Sequence, residues 1–368
     1  MVMVRDLFER LCHKIDVRDP GKSAKELGKD YDSMSMTDFV KNEGGGKTAL
    51  ATVRIWTRAM LGLEPQEVSA LYFLTYCKGG GGIMQMRSDR ENGGQFLRVA
   101  TGTTRVHARN RAANNTTGTQ SFSRALADLL PNDSIILNCA VRAVTDSRNS
   151  VLVSTAKGSF RSKKVVVSLP SPLYRTVEFN PPLPPNKAKL SERTNHGHTS
   201  KMILAYATPW WRKAGLCGLS QALNGLSAVT RDVSNDAAGA FALLCFLVGD
   251  PGRKWAKLTP SQRKEAILKH IADTFGPAID FPVPEPTQVI DQIWSNETWS
   301  QGCPCPAMPP GLISEVGVGT LSEKFGNIHF VGTETADIWR GYMEGAVRSG
   351  ERGAEEVIQA LNKTQSKL

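Results

Sequence analysis

No run of eighteen or more apolar residues occurs anywhere in the 368-residue chain, so no segment has the length of a membrane-spanning helix. Arg5, Asp6, Glu9 and Arg10 crowd the first ten residues and leave no room for the apolar core of a secretory leader. The seven cysteines are odd in number, scattered, and without a Cys-x-x-Cys pair. That usage points to free thiols in a reducing compartment and away from a disulfide frame or a zinc site. No apolar strand runs into Gly-x-Gly-x-x-Gly. Gly44-Gly45-Gly46 and Gly79 to Gly82 follow helical or polar stretches, so neither reads as a pyrophosphate-binding turn. The net charge is +10, yet no stripe of basic and aromatic residues accompanies it. A solvated basic surface is expected, with no nucleic-acid partner.

What is present is enough for a large core. At 40% hydrophobic residues over this length, two domains are expected. Residues 1–99 read as helical: Phe8, Leu11 and Ile15 share a face, Ala49 to Leu61 forms a second amphipathic run, and Pro65 opens a helix over Glu67 to Tyr76 that the glycines at 79–82 end. From Ser134 to Pro170 the period becomes two. Ile135–Leu137, Val141–Val144, Val151–Val153 and Val165–Val167 read as short strands. Lys201 to Ala207 and the buried stretch 237–248 also read as strands, and Thr259 to Phe275 as a helix with Pro260 at its first position.

The most informative stretch is 328–358. Ile328 to Val331 is an apolar strand, Gly332-Thr333-Glu334-Thr335 a turn, and a helix opens near Gly341 with small residues at 345, 346, 350 and 354. A strand, a glycine turn and a helix rich in small residues bring backbone N–H groups to a polar or anionic cofactor edge. By itself this defines a cofactor-binding α/β element. As a string of residues, it resembles the C-terminal flavin-binding segment of the flavin-containing monoamine oxidases, the fungal members in particular. Further landmarks occur in the family's order: Glu67-Val68-Ser69-Ala70-Leu71, Asn92-Gly93-Gly94-Gln95, Phe179 to Pro184, and Trp299-Ser300-Gln301-Gly302-Cys303.

The resemblance implies a mixed α/β fold with interleaved flavin and substrate domains. Substrate-domain segments would be 1–99 and 191–296, FAD-binding segments 100–190 and 297–362, and 363–368 a tail. It implies FAD-dependent oxidation of a primary or secondary amine, with dioxygen reduced to hydrogen peroxide. Lys201 would hold a water against the flavin, Tyr342 would form one wall of an aromatic cage, and Trp299 would pack beside the isoalloxazine. Pro304 stands where the opposite cage wall is expected. Gly332, Thr333, Glu334, Gly341, Met343 and Val141 would contact FAD, Cys303 is the candidate for a covalent flavin bond, and Gln95 and Trp56 would line the substrate cavity.

The chain also departs from the family pattern. The βαβ unit with the glycine fingerprint is not found, which leads to the expectation of a truncated gene model or fragment. Thr101-Gly102-Thr103 recurs as Thr117-Gly118-Thr119, so 103–118 reads as an insertion, such as a retained intron. Two alternatives follow: an inactive fragment unable to hold FAD, and a chromatin-associated relative of the oxidases. The terminal Ser366-Lys367-Leu368 is the tripeptide read by the peroxisomal import receptor, so a peroxisomal location is expected. A homo-oligomer is left open.

Overall fold

The computed structural model describes residues 2–96, 118–223 and 225–365. The apparent insertion at 103–118 lies outside these residues except for Gly118, and so does the terminal tripeptide. No helix among the described residues is long and apolar enough to cross a membrane.

The N-terminal third is helical because its apolar residues recur at helical spacing. Helix Val2–Lys14 buries Val4, Phe8 and Leu11, and Phe8 meets Phe39, Phe73 and Trp56 at ring separations of 5.8, 5.4 and 6.1 Å. Helix Lys47–Leu61 stops at Gly62, whose φ of 69° a side chain would resist. One boundary differs from the expected helix over Glu67 to Tyr76. Pro65–Glu67 forms only a 3₁₀ turn. The helix proper is Ala70–Gly79, because the Ser69 hydroxyl caps it by accepting the Tyr72 N–H. Cys305, Ala307, Met308 and Leu312 to Leu321 return to this helical core.

The second layer is an antiparallel sheet in the order Gln288–Ile293, Thr199–Tyr206, Phe241–Val248, Val229–Asp232, Ser220–Gln221. The expected helix is present as Pro260–Phe275 with a Thr259–Gln262 capping box. Lys201 sits mid-strand, opposite Phe246 on one side and Gln292 on the other.

The third part differs from the four strands expected. Ile135–Leu137 forms no strand among the described residues, and the meander is completed by Gly158–Ser162, pairing with Val151–Thr155. The β-forming side chains of 135–137 could not make a strand without a partner to complete a ladder. Val141–Asp146 pairs with Val151–Thr155 and, in parallel, with Glu178–Asn180. Ile328–Phe330 pairs in parallel with Val165–Val167, and among the described residues this sheet has only these two strands. Parallel sheets are normally covered on both faces. Here Ile328–Phe330 is buried and Val166 is 48% exposed; Leu137 and Trp299, outside the sheet but on the same cleft as Val166, are each 72% exposed.

Candidate active site

Two cavities lie close to the C-terminal segment. The first, of about 260 Å³, is lined by Tyr76, Arg87, Gln95, Phe246, Pro304 and Tyr342 among others. Helix Ala70–Gly79 supplies Tyr76, strand Phe241–Val248 supplies Phe246, and the turn before helix Met343–Gln365 supplies Tyr342. Gln95 is folded back onto the site by the glycine turn before it: its amide donates to the Met86 carbonyl at 3.2 Å and reaches the Tyr342 hydroxyl at 3.5 Å. Tyr342 packs edge-on against Trp339 at 5.1 Å, and burial pushes its phenol up to about 12. Gly341 has φ 83°, and a Cβ there would lie 3.0 Å from Cys305 Sγ and 3.2 Å from the Tyr76 ring. Only glycine lets the chain pass between these buried groups and present Tyr342.

Lys201 does not line this cavity, but its Nζ lies 5.4 Å from the ring centroid of Phe246, which does. Its charge also acts on Cys303, opposing the burial that raises that thiol. The backbone of Cys303 is held on both sides: its N–H donates to the Gly197 carbonyl at 3.0 Å, and its carbonyl accepts the Thr199 hydroxyl at 2.9 Å. Cys305 is buried against Tyr72 and Gly341, and burial pushes its thiol up to about 12.

The second cavity, of about 700 Å³, is an apolar cleft. Val141, Val144 and Val165 to Leu169 line it, with Trp299 and Gln301 at its edge. Val141 and Trp299 therefore share one cleft, while Tyr342, Gln95 and Pro304 share the other.

The turn between them is tied together internally. Gly332 N–H donates to Ser349 Oγ at 3.0 Å, and the Thr333 hydroxyl donates to the Tyr342 carbonyl at 2.8 Å. Glu334 is 3% exposed and accepts the Ser171 N–H at 2.7 Å, which joins the two parallel strands' loops. Burial raises its carboxyl to about 7 against the pull of the Ser171 hydrogen bond, Arg340 and Lys187. Met343 opens the 23-residue helix, where the first N–H groups have no intrahelical acceptor.

The raised carboxyl has a pH consequence. The folded state favours neutral Glu334, so its stabilising contribution is full below about 4.5 and is lost as pH rises through about 7. Gln keeps an acceptor for the Ser171 N–H and never ionises. Glu334→Gln should therefore match the parent in denaturant stability near pH 4.5 and exceed it at pH 8, by on the order of 3 kcal/mol. Equal stability at pH 8 would show that Lys187 and Arg340 fully compensate the carboxylate.

Of the expected site residues, Lys201, Cys303, Gly332, Thr333, Glu334, Met343 and Trp56 line neither cavity, and Gly341, expected on the cofactor, lines the first with Tyr342. Trp56 is buried against Phe8 in the helical core, and the cavity wall passes to Ala59 and Met60, one turn further along the same helix. Conversely, Tyr76, Arg87, Asp89, Arg231 and Phe246 line the cavity without having been singled out in the sequence. Asn92-Gly93-Gly94 was the available signal for Arg87: a tight reversal there returns Gln95 to Met86. Nothing local marks Arg231.

An aromatic-walled cavity and a separate apolar cleft, with a strand, glycine turn and helix close to both, suit a small-molecule substrate and a flat cofactor. The model of the family described as flavin containing amine oxidoreductase matches residues 18–358. AofH of Mycobacterium tuberculosis, named as a flavin-containing monoamine oxidase, is 32% identical over 357 residues, covering 96% of this chain and 72% of its own length. Amine oxidase (flavin-containing) B of Homo sapiens is 31% identical over 341 residues, covering 92% of this chain and 61% of its own. Among solved structures, cyclohexylamine oxidase from Brevibacterium oxydans superposes with a TM-score of 0.83 at 24% identity, over 97% of this chain and 74% of that one. Putrescine oxidase superposes at 0.81 and 22% identity, over 96% and 74%. The chain belongs to the flavin-containing amine oxidoreductases, whose chemistry is FAD-dependent amine oxidation.

FAD fits the residues present on one side only. The open apolar cleft beside Val141 and Trp299 suits the faces of a planar ring, and the N–H groups at Met343 suit its polar edge. No glycine-rich strand-to-helix turn for the pyrophosphate is found in the sequence.

Proposed function

We propose that this protein converts a primary or secondary amine to an imine, which water hydrolyses to the carbonyl product, while dioxygen takes the two electrons and two protons as hydrogen peroxide. The convergence of Tyr342, Gln95 and Pro304 on one cavity, with Lys201 close to the Phe246 ring of its wall, carries this proposal. FAD, when bound, supplies the two-electron acceptor.

The chain's own part is positioning. Tyr342 offers one aromatic face to the substrate nitrogen. Pro304 stands where a second ring would complete a cage, so contact there is apolar and less specific for a cationic or electron-poor nitrogen. Gln95 fixes the Tyr342 hydroxyl and adds a polar contact. Lys201 places positive charge where oxygen becomes negative during its reduction. Val141, Trp299, Gly332, Thr333, Glu334 and Met343 are the FAD-side residues. Cys303 is the candidate for covalent attachment, because it is only partly buried whereas Cys305 is enclosed.

The open apolar cleft lined by Val141, Val166 and Trp299 supports a further element of this reading. A strand–glycine loop–helix unit that brings the pyrophosphate site would seat against this cleft. With that unit in place and FAD bound, pentylamine should yield aldehyde and peroxide in equal amounts. Aldehyde without peroxide would reject oxygen as the acceptor.

A further inference from the structure

The amine cavity carries a charge that amine oxidation does not use. Arg87, the last residue of helix Ile83–Arg87, lines it beside Gln95 and Tyr342. Its guanidinium is half-buried, and burial together with the neighbouring Arg231, which lines the same cavity, disfavours its charge. The single carboxylate of the lining, Asp89, pairs directly with Arg231 at 2.7 Å and reaches Arg87 only as a weaker charge attraction. Among the described residues the Arg87 side chain has no hydrogen-bond or ion-pair partner. The described lining thus holds two guanidiniums and one carboxylate, with one positive charge left over.

A half-buried cation without a partner is costly, and five donors in a fixed fork match a carboxylate bidentately. The same charge repels an ammonium ion and does nothing for a purely apolar amine. We propose that the substrate is an amine that also bears a carboxylate, with the nitrogen against Tyr342 and the carboxylate on Arg87. The amine half of this inference rests on the proposed function; the anion half rests on Arg87 alone.

The test separates the two halves. Pentanoate and its neutral isostere pentanol are titrated into the full chain and followed by NMR. Pentanoate should bind about tenfold tighter or better, the worth of one charge-assisted contact. Arg87→Met should erase that preference. Asp89→Asn releases Arg231 and should tighten pentanoate binding several-fold, a gain that misfolding could not produce. Turnover of 5-aminopentanoate against pentylamine is then compared in the FAD-loaded protein, with the aminocarboxylate favoured in kcat/KM through its KM. Equal affinities for pentanoate and pentanol, or a preference that survives Arg87→Met, would overturn the proposal. Pentylamine turnover without any carboxylate preference would do so while leaving amine oxidation standing. Carboxylate binding with no turnover of any amine would keep the anion site and reject the amine-oxidase reading.

Discussion

Expressed by itself, the 368-residue chain should purify with FAD on only a small fraction of molecules, and supplying a strand–glycine loop–helix unit should raise occupancy to about one FAD per chain. The expectation follows from where binding energy for a dinucleotide resides. A helix N-terminus approached through glycines binds the pyrophosphate with backbone N–H groups and a favourable dipole. This chain has no such fingerprint, and its contacts lie along one open apolar cleft and one helix start. The exposed apolar residues of that cleft, Val166, Leu137 and Trp299, should bind a reporter of exposed apolar surface in the chain alone and lose that binding when the unit docks. Absorbance and protein concentration give the occupancy. Full occupancy of the chain alone would show that the cleft suffices. Acid denaturation of the loaded protein then tests Cys303: yellow colour should stay with the parent and leave Cys303→Ala. Colour retained by Cys303→Ala would refute that attachment, and colour lost from the parent would mean a non-covalent cofactor.

Lys201→Met should slow the oxygen half-reaction by about a hundredfold and the amine half-reaction much less. A fixed positive charge in a site with little water stabilises negative charge developing on oxygen, and removing one such group costs about that factor. Met preserves length and apolar stem, so strand pairing with Phe246 and Gln292 should survive. Stopped-flow mixing separates the two halves: the loaded protein is first reduced by amine without oxygen, then mixed with oxygenated buffer. An unchanged oxygen rate would remove Lys201 from the chemistry and leave it as a lysine whose ammonium rests near the Phe246 ring.

The sequence revealed those parts of this molecule whose cause is local. The Thr259 capping box, the amphipathic face of Phe8 and Leu11, and the strand around Lys201 each follow from spacing within one segment. Two local signals misled. Pro65 suggested a helix start, but the Ser69 cap set it at Ala70, and the β-rich Ile135–Leu137 found no partner among the described residues. For the site, strings of residues located Tyr342, Gln95 and Pro304, which do share a cavity. They gave no information on which side chains meet across the fold. Arg231 and Asp89 are 142 positions apart in sequence yet paired, and Trp56 turned to the core while its neighbours one turn away reached the cavity.

If the cavity of Tyr342 and Gln95 holds the amine of an FAD-dependent oxidase, flavin reduction by amines must depend on its lining. Anaerobic mixing of the FAD-loaded protein with a panel of primary and secondary amines, aminocarboxylates included, tests it directly. The oxidised flavin absorbance should disappear with at least one of them, return on admission of oxygen, and disappear far more slowly in Tyr342→Ala. A flavin spectrum unmoved by every amine, or bleached at the same rate after Tyr342→Ala, would contradict the account.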